Sequence, residues 1–282
     1  MNILTFDIEE WFHILDHKST KTSLEWSKYE SRIHNNMDKI FNLLFEKKLK
    51  ATFFVVGWIA EKYPEIVKKI SNNGFEVGSH THMHQLMYEQ NPKQVEEDLK
   101  KSINVIESLT GKKVKSFRAP GFSITEKNKW AFEILYENGI IYDSSIFPAG
   151  RAHGGFPAYK EDSPSIISIG GAKIKEFPIN TISLYGKKLI FSGGGYFRLM
   201  PYKFIKSYTQ KSKYVMTYFH PRDFDPKQPL IKDLSLIRKF KSYVGLNHAM
   251  EKLNKWTSEF DFIDISSAEK LIDWNNVPIV EI

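Results

Sequence analysis

The stretch Ala51-Thr52-Phe53-Phe54-Val55-Val56-Gly57 is almost entirely apolar, which is typical of a β-strand that is buried on both faces. Two helical patterns flank it along the chain. Residues 33–50 carry apolar side chains at helical spacing, and residues 59–72 form a second helical pattern that Gly74 closes. A buried strand between two amphipathic helices is the repeating unit of a parallel α/β sheet, so this stretch predicts the fold class.

The same alternation of strands and helices extends along the rest of the chain. Strands are predicted over residues 3–8, 75–79, 114–117, 140–143, 174–179, 189–192, 214–219 and 260–265. Helices are predicted over residues 92–109, 126–138 and 246–256, and after Pro201 and Ser267. About seven or eight such units fit an α/β fold in the form of a distorted (β/α) barrel of about seven parallel strands, and an open doubly wound sheet is the alternative.

The domain organisation is simple. The chain has no linker rich in Pro, Gly or Ser and no internal repeat, so we predict a single domain over residues 1–282. Residues 147–165 form the longest irregular stretch, and loops of this length often border functional sites. The run Gly193-Gly194-Gly195 predicts a turn.

The composition is that of a soluble globular protein. Hydrophobic residues make up 41% of the chain and charged residues 26%, and no run approaches the roughly 18 apolar residues of a membrane span. Cys is absent, which excludes disulfides and thiolate metal sites. The N-terminus lacks the pattern of a secretory signal, so we expect a cytoplasmic protein.

The net charge of +7 and the pI of about 9.2 favour anionic partners, although scattered Lys residues on helices also suit an ordinary solvated surface. A nucleic-acid-binding motif is not visible, so we expect no nucleic acid partner. Peripheral contact with an anionic membrane or a lipid-linked precursor suits the charge. The sequence leaves the oligomeric state open.

Polar residues collect at the ends of the predicted strands. In a parallel barrel the functional site lies where the strands end and the loops begin. The residues at those ends are Asp7, Glu9, Glu10, His80, His82, His84, Arg118, Asp143 and His220. Carboxylates and histidines gathered at one rim indicate a metal hydrolase.

The segment His80-Thr81-His82-Met83-His84 is the sharpest signal for a metal site. In an extended strand, residues four apart would lie about 13 Å from each other, too far to share an ion. If the chain curls into a helical turn, His80 and His84 share a face and can hold one divalent ion, while His82 points elsewhere. Three surface histidines in a loop are the alternative.

The acidic residues of the first strand match this histidine pair. Asp7 and Glu9 point to the same face of a strand, so one can ligate a metal while the other stays free as a base. Two histidines and one carboxylate leave positions for water and substrate, as in a catalytic zinc site. Arg118 could pair with Asp7 and keep it ionised. A solvent-facing strand end, a surface Arg118 and a structural His220 are the alternatives.

Five short motifs in this order resemble the polysaccharide deacetylase family, carbohydrate esterase family 4 or NodB-like. The motifs are Thr5-Phe6-Asp7-Ile8-Glu9-Glu10-Trp11, His80-Thr81 with His84, Arg118-Ala119-Pro120, Asp143-Ser144-Ser145 and Phe219-His220. The resemblance runs over nearly the whole chain. Each motif is weak alone, and the five in order are strong.

The first motif departs from the two adjacent Asp residues of the family. It resembles a subgroup that has Asp-x-Glu-Asp and a Gly-rich Tyr-Phe-Arg stretch, here residues 193–198, and that is associated with bacterial exopolysaccharide and surface-glycan loci. The departure leaves two candidates for the carboxylate ligand. Glu9 is preferred over Glu10 because it shares the strand face of Asp7.

The resemblance implies metal-assisted removal of an acetyl group from an N-acetylated sugar or glycan. It implies that Glu9, His80 and His84 hold a divalent metal, with zinc as the preferred ion. Asp7 would be the general base, and Arg118 would hold Asp7 in place and charged.

The resemblance also assigns the groups around the leaving amine. His220 would protonate the amine, and Asp143 would orient His220 or Arg118. The backbone N–H of Gly121 would stabilise the oxyanion. Phe122 and His13 lie near the predicted mouth and are candidates for substrate contact.

Two other classes of function remain open. The same fold serves hydrolases of other linear or cyclic amide C–N bonds, and a non-catalytic glycan-binding protein is the second alternative. A non-catalytic protein would be expected to lose the base or a histidine, whereas this chain has all of them. For a cytoplasmic enzyme, a lipid-linked or nucleotide-linked precursor is the more plausible substrate than a finished polymer.

Overall fold

The computed structural model of the chain describes residues 1–15, 17–151, 153–184 and 187–282. The strands are β1 (Asn2–Ile3), β2 (Thr5–Ile8), β3 (Thr52–Val55), β4 (Glu76–Ser79), β5 (Ser116–Phe117), β6 (Tyr142–Asp143), β7 (Ser165–Ile169), β8 (Ala172–Glu176), β9 (Ile182–Leu184), β10 (Lys187–Leu189), β11 (Val215–Met216) and β12 (Ile279–Glu281).

Helices alternate with the strands along much of the chain. The α-helices are α1 (Ser23–Trp26), α2 (Ile33–Lys47), α3 (Gly57–Lys62), α4 (Pro64–Asn72), α5 (Pro92–Thr110), α6 (Ala131–Glu137), α7 (Gly194–Leu199), α8 (Tyr202–Lys211), α9 (Leu236–Tyr243), α10 (Ala249–Glu259) and α11 (Ile265–Leu271). None of the helices in the described part of the chain is long and apolar enough to cross a membrane.

The main sheet has eight strands in the order β12-β7-β8-β6-β5-β4-β3-β2. All neighbouring pairs are parallel except β7 with β8, so the expectation of a mostly parallel α/β sheet is confirmed. Beyond β2 the pairing continues through parallel bridges from Phe6 to Phe219 and from Tyr218 to Gly193. Across the four described ranges, no pairing joins that end to the β12 edge, so closure of the barrel is not detected.

The register of the parallel strands brings the predicted functional residues to one edge. Asp7 is level with Phe54, and Ser79 is level with Phe117. Phe117 is in turn level with Asp143. Since His80 and Arg118 directly follow β4 and β5, their side chains start from the same edge of the sheet as Asp7.

The local sequence explains where most helices and strands begin and end. It also explains where a predicted helix differs from the observed one. Helix α5 begins with Pro92 and a capping box between Asn91 and Gln94, and it ends at Gly111 with φ 66°. The single helix expected over residues 59–72 is instead two helices, because Pro64 cannot continue α3 and starts α4.

Other differences from expectation lie mainly in the second half of the chain. The Gly193–Gly195 run is not only a turn, since α7 begins at Gly194. Residues 260–265 contribute one bridge, from Ile263 to Ile3, rather than a strand. Helices α7 and α9 and strands β7 and β12 were also not expected.

Candidate active site

The histidine segment after β4 is held in a tight turn. Thr81 and His84 have positive φ values of 63° and 50°, so the turn is not the regular helix considered above. The carboxylate of Asp98 accepts hydrogen bonds from the backbone N–H of His82 at 2.6 Å and of Met83 at 2.9 Å. These contacts bring the ring centroids of His80 and His84 to 5.2 Å.

Glu9, His80 and His84 form a buried group in which one ligand atom from each lies within 4.8 Å of the others. The Oε2 atom of Glu9 lies 2.6 Å from Nε2 of His84. The Nδ1 atom of His80 lies 2.6 Å from the carbonyl oxygen of Arg118, which selects Nδ1 as the donor and leaves Nε2 free to ligate. Two imidazoles and one carboxylate suit a catalytic divalent ion, so these residues fit a metal site.

The electrostatics of this group favour the ligating protonation states. Burial lowers the pKa of His80 to about 4 against the opposing charge of Asp7, so the imidazole is neutral at pH 7. Burial raises the pKa of Glu9, but His84 and His220 outweigh it and hold that pKa well below its usual range. A neutral imidazole and an ionised carboxylate are the forms that bind metals.

Two neighbouring residues of the same motifs point elsewhere. The Glu10 carboxylate accepts hydrogen bonds from Ser31 Oγ at 2.5 Å and from the backbone N–H of Arg32 at 3.0 Å and Ile33 at 3.2 Å, so it caps the start of α2. His82 packs against Gly57, where a Cβ would clash with its ring. Geometry therefore favours Glu9 over Glu10 beside the two histidines.

Asp7 is paired with Arg118 in the interior. Nη1 of Arg118 donates to Oδ1 of Asp7 at 2.8 Å and to Thr5 Oγ1 at 2.7 Å. The Arg118 side chain is fully buried, and its Nη2 and Nε atoms donate to Ser144 Oγ at 2.8 Å and Ser144 O at 3.1 Å. A buried guanidinium with these partners fixes the position of the Asp7 carboxylate.

His220 lies close to both Asp7 and Glu9. Its Nε2 atom lies 3.9 Å from Oδ2 of Asp7 and 3.9 Å from Oε1 of Glu9. Burial lowers the pKa of His220, but the charges of Glu9, Asp223 and Asp7 raise it to about 9. His220 is therefore protonated at neutral pH in the absence of a metal.

Asp223 and Arg198 are parts of the site that the sequence reasoning missed. Oδ2 of Asp223 lies 2.9 Å from Nδ1 of His220, and Oδ1 forms an ion pair with Nε of Arg198 at 2.9 Å. Burial raises the pKa of Asp223, but Arg198 and His220 bring it down to about 2. The signal in the sequence was the spacing His220-Pro221-Arg222-Asp223, because a Pro at the first position of a helical turn brings residues three apart together.

Asp143 has a different environment from the one expected. Its carboxylate accepts hydrogen bonds from Ser145 Oγ at 2.7 Å and from the Ser145 backbone N–H at 2.9 Å. Ser145 Oγ in turn accepts the backbone N–H of Ala119 at 2.8 Å. Burial raises the pKa of Asp143 and, more strongly, that of neighbouring Glu176. Asp143 thus supports the segment after β5, and the partner of His220 is Asp223 instead.

The three residues predicted to contact substrate lie around this centre. Gly121 has a positive φ of 60°, and a Cβ there would come 2.7 Å from Cδ1 of Leu15. Phe122 and His13 are each only 3% exposed. The Phe122 ring packs in an aromatic layer, whereas the His13 ring stacks on His84 at 5.6 Å.

His13 differs from Phe122 in having an unused polar atom. Among the described residues, no hydrogen-bond partner is found for Nε2 of His13. His13 and His84 line one cavity together with Leu15 and Leu86. This placement leaves His13 in a position to contact a ligand in that cavity.

The mostly parallel α/β sheet thus carries, at the carboxyl ends of its strands, a Glu-His-His group of the kind that can hold a divalent metal ion. Residues 4–135 match the polysaccharide deacetylase family, and residues 144–270 match a domain of unknown function, DUF3473. The first of these matches agrees with the family resemblance noted from the motifs. Asp7, Glu9, His80, His84 and Arg118 lie in the first segment, and His220, Asp223 and Arg198 lie in the second.

Two curated relatives are similar to part of this chain. A peptidoglycan-N-acetylglucosamine deacetylase of Bacillus cereus is 38% identical over 109 residues, which is 38% of this chain and 38% of that protein. A peptidoglycan deacetylase of Helicobacter pylori is 36% identical over 104 residues, which is 36% of this chain and 34% of that protein. The matched region therefore spans little more than a third of either relative.

Two solved structures share the fold over nearly the whole chain. One is a Mycobacterium smegmatis protein provisionally classed as a polysaccharide deacetylase, with a TM-score of 0.65 at 16% identity, covering 98% of this chain and 91% of that one. The other is a mutant of BA3943, a CE4 family pseudoenzyme with restored activity, with a TM-score of 0.50 at 15% identity, covering 99% of this chain and 69% of that one. At these identities the likeness concerns the fold alone.

Proposed function

We propose that this protein is a metal-dependent N-deacetylase that removes the acetyl group from an N-acetylated sugar in a glycan or glycan precursor. The observation that carries the proposal is the side-chain arrangement around Glu9. Glu9, His80 and His84 form a group that could hold a metal ion, and Nε2 of His220 lies 3.9 Å from both Oε1 of Glu9 and Oδ2 of Asp7, which is not part of that group. The names of the curated relatives, both peptidoglycan deacetylases, support N-acetylated sugars as the substrate class.

A divalent ion held by Glu9, His80 and His84, with zinc as the preferred ion, would supply Lewis-acid chemistry by polarising the acetyl carbonyl and lowering the pKa of water. Asp7 is assigned as the general base that accepts a proton from the attacking water. Its pairing with Arg118 supports this role, because the hydrogen bond from Nη1 of Arg118 holds Oδ1 of Asp7 and leaves Oδ2 turned toward His220.

His220 is assigned as the general acid that protonates the sugar amine as the C–N bond breaks. Its raised pKa supports this role, since the proton must be present before the bond breaks. An ion on Glu9 would offset part of the negative charge that raises this pKa and bring it nearer to neutral. Asp223 is assigned as the residue that orients His220, and Gly121 N–H as an oxyanion donor.

The site draws on both family segments. The ligands and Asp7 come from residues 4–135, whereas His220 and Asp223 come from residues 144–270. The largest hydrophobic core cluster likewise includes residues from Leu4 to Phe262. We therefore propose that residues 1–282 act as one domain, and that the DUF3473 segment completes the catalytic centre.

A non-catalytic glycan-binding protein is the main alternative, because a CE4 pseudoenzyme shares the fold. The present chain retains the proposed base, acid and all three ligands, which favours catalysis.

The proposal is tested by acetate release from N-acetylglucosamine oligosaccharides and from peptidoglycan, compared between the native protein, Asp7→Asn and a control. His248→Ala is the matched control, because the His248 side chain is 79% exposed and outside the site. We expect native and control proteins to release acetate and Asp7→Asn to lose roughly 10²–10⁴-fold. Saturable glycan binding by the native protein without acetate release would favour the non-catalytic alternative.

A further inference from the structure

Helix α9 is oriented with its apolar side chains outward. Leu236, Ile237 and Phe240 are 83%, 69% and 58% exposed, and no residue of the helix is buried. Together with exposed Lys241 they form one continuous face of the helix, which we call the α9 surface. A surface helix ordinarily turns its apolar stripe toward the core, so the orientation of α9 is the reverse of the usual one.

Polar contacts on the opposite face hold α9 in this orientation. That face is half-buried and consists of Arg238, Lys239, Ser242 and Tyr243. Nη2 of Arg238 donates to the carbonyl oxygen of Leu15 at 2.5 Å. Oη of Tyr243 donates to the carbonyl oxygen of Pro229 at 3.2 Å and accepts the backbone N–H of Ile231 at 2.9 Å. Because the polar face of α9 packs against the rest of the protein, the apolar face is left free for a partner.

The segments packed against α9 expose further apolar side chains. Arg198 of α7 donates to the carbonyl oxygens of Lys241 at 3.0 Å and Val244 at 2.7 Å, which anchors the end of α9. The exposed apolar side chains on α7 and on the segment before α9 are Tyr196, Leu199 and Leu230, at 44%, 56% and 64%. A cluster of exposed apolar side chains of this kind marks an interaction site.

The charge around the α9 surface is strongly positive. Residues 227–241 contain five basic side chains, Lys227, Lys232, Arg238, Lys239 and Lys241, and one acidic side chain, Asp233, for a net charge of +4. Within the described part of the chain, the exposed residues Lys232 and Lys241 form no ion pairs, so their charges are available to a partner. Exposed apolar residues interspersed with lysines suit the boundary between headgroups and acyl chains of an anionic bilayer.

We propose that the α9 surface binds anionic lipid membranes, with Leu236, Ile237 and Phe240 inserted at the headgroup boundary and the lysines on lipid phosphates. Charge complementarity favours lipid over a second copy of the chain, because a symmetric contact would bring two segments of +4 charge together. This inference does not depend on the proposed deacetylase activity.

The α9 surface lies next to the candidate active site. Arg238 contacts Leu15, which lines the same cavity as His13 and His84. Arg198, which anchors the end of α9, also pairs with Asp223 beside His220. Membrane binding through α9 would therefore hold the site close to glycans attached to the bilayer.

The test is co-sedimentation of the full chain with vesicles of phosphatidylcholine and phosphatidylglycerol, and with vesicles of phosphatidylcholine alone. We expect binding to the anionic vesicles, weaker binding at high salt, and roughly a tenfold or greater loss for the variant Leu236→Ser/Ile237→Ser/Phe240→Ser. A second variant, Lys232→Glu/Lys241→Glu, reverses two positive charges and leaves the apolar residues unchanged. It should lose binding to the anionic vesicles, whereas its behaviour toward vesicles of phosphatidylcholine alone should equal that of the native protein.

The matched control is Leu24→Ser/Leu271→Ser/Ile279→Ser, which removes three apolar side chains that are 78%, 71% and 56% exposed on other elements. This control should bind vesicles as the native protein does. Native-level binding by the α9 triple variant, or absence of vesicle binding by the native protein, would overturn the proposal. The proposal would also be overturned if the native protein formed a dimer that the triple variant abolishes and the native protein did not bind vesicles.

Acetate release from a soluble oligosaccharide is measured in parallel and should be equal in all these proteins, which separates this test from that of the proposed activity.

Discussion

Asp223 holds His220 by two contacts, since its Oδ2 atom lies 2.9 Å from both Nδ1 and the backbone nitrogen of His220. The other carboxylate oxygen of Asp223 is paired with Arg198. This chain of contacts sets both the direction and the charge of the imidazole. It also connects a Gly-rich stretch of unassigned role, residues 193–198, to the proposed chemistry.

Replacing Asp223 by Asn should lower the pKa of His220, because the carboxylate charge that raises it is removed. A general acid works below its pKa, so the alkaline limb of the kcat/KM profile should move to lower pH. The rate at the optimum should fall about tenfold or more, since the imidazole is also less well oriented. A pH profile of acetate release measures both effects.

Asp225→Asn is the matched control for this prediction. Asp225 lies two residues further along and pairs with Arg32 at 2.5 Å rather than with His220. The Asp225→Asn variant should leave the alkaline limb of the kcat/KM profile at the same pH as in the native protein. An unmoved limb in Asp223→Asn as well would show that Asp223 does not act through His220.

The two adjacent glutamates should separate cleanly in their effects on metal binding. Glu9→Gln should lose bound metal, because its carboxylate belongs to the group with His80 and His84. Glu10→Gln should keep the metal and lose about 1 kcal/mol of stability, because Glu10 caps the start of α2. Metal content of the purified variants and urea denaturation measure the two effects, and metal loss in Glu10→Gln with retention in Glu9→Gln would reverse the assignment.

The buried pair of Asp7 and Arg118 predicts a coupling energy. Arg118→Met should cost roughly 3–5 kcal/mol, because it leaves the Asp7 carboxylate buried without its cation. Adding Asp7→Asn to Arg118→Met removes that charge, so the double variant should be more stable than the sum of the two single changes indicates. Urea denaturation of the four proteins of the cycle gives the coupling, and simple additivity would contradict the pairing.

The stability of the metal-free protein should depend on His220 between neutral and alkaline pH. The folded pKa of His220 is about 9, above the ordinary value of 6.5. Its stabilising contribution is therefore fully present below pH 6.5 and is lost as the pH rises through 9. The expected loss is on the order of 2–3 kcal/mol.

Urea denaturation of chelator-treated protein between pH 6.5 and 9 measures this loss, and His220→Gln is the comparison. The variant should lack most of the slope. An equal slope in native and variant proteins would mean that the pKa of His220 is not raised by folding.

The sequence predicted the first half of the fold well because its signals are local. The apolar run at 51–57 and the capping residues around Pro92 specify their elements without help from the rest of the chain. Helix α9 was missed for the opposite reason, since its apolar face points to solvent and its polar face makes the packing contacts. Barrel closure depends on long-range pairing that no local pattern encodes.

The candidate site was predictable where spacing alone brings residues together. His80 and His84 meet because of one tight turn, and Glu9 directly follows β2, where its backbone N–H donates to the carbonyl oxygen of Asp7 at 3.1 Å. The role of Asp143 could not be read in this way, because its partners depend on how β6 packs beside the segment after β5. The Arg198 contact with Asp223 likewise joins distant parts of the chain.

The central claim is that one divalent ion on Glu9, His80 and His84 is required for deacetylation. The most direct measurement is acetate release from an N-acetylated oligosaccharide by exhaustively chelated protein during titration with Zn²⁺, with His84→Ala in parallel. We expect no release without metal, recovery that saturates at one equivalent per chain, and no recovery in His84→Ala. Full activity of the chelated native protein, or full recovery in His84→Ala, would contradict it.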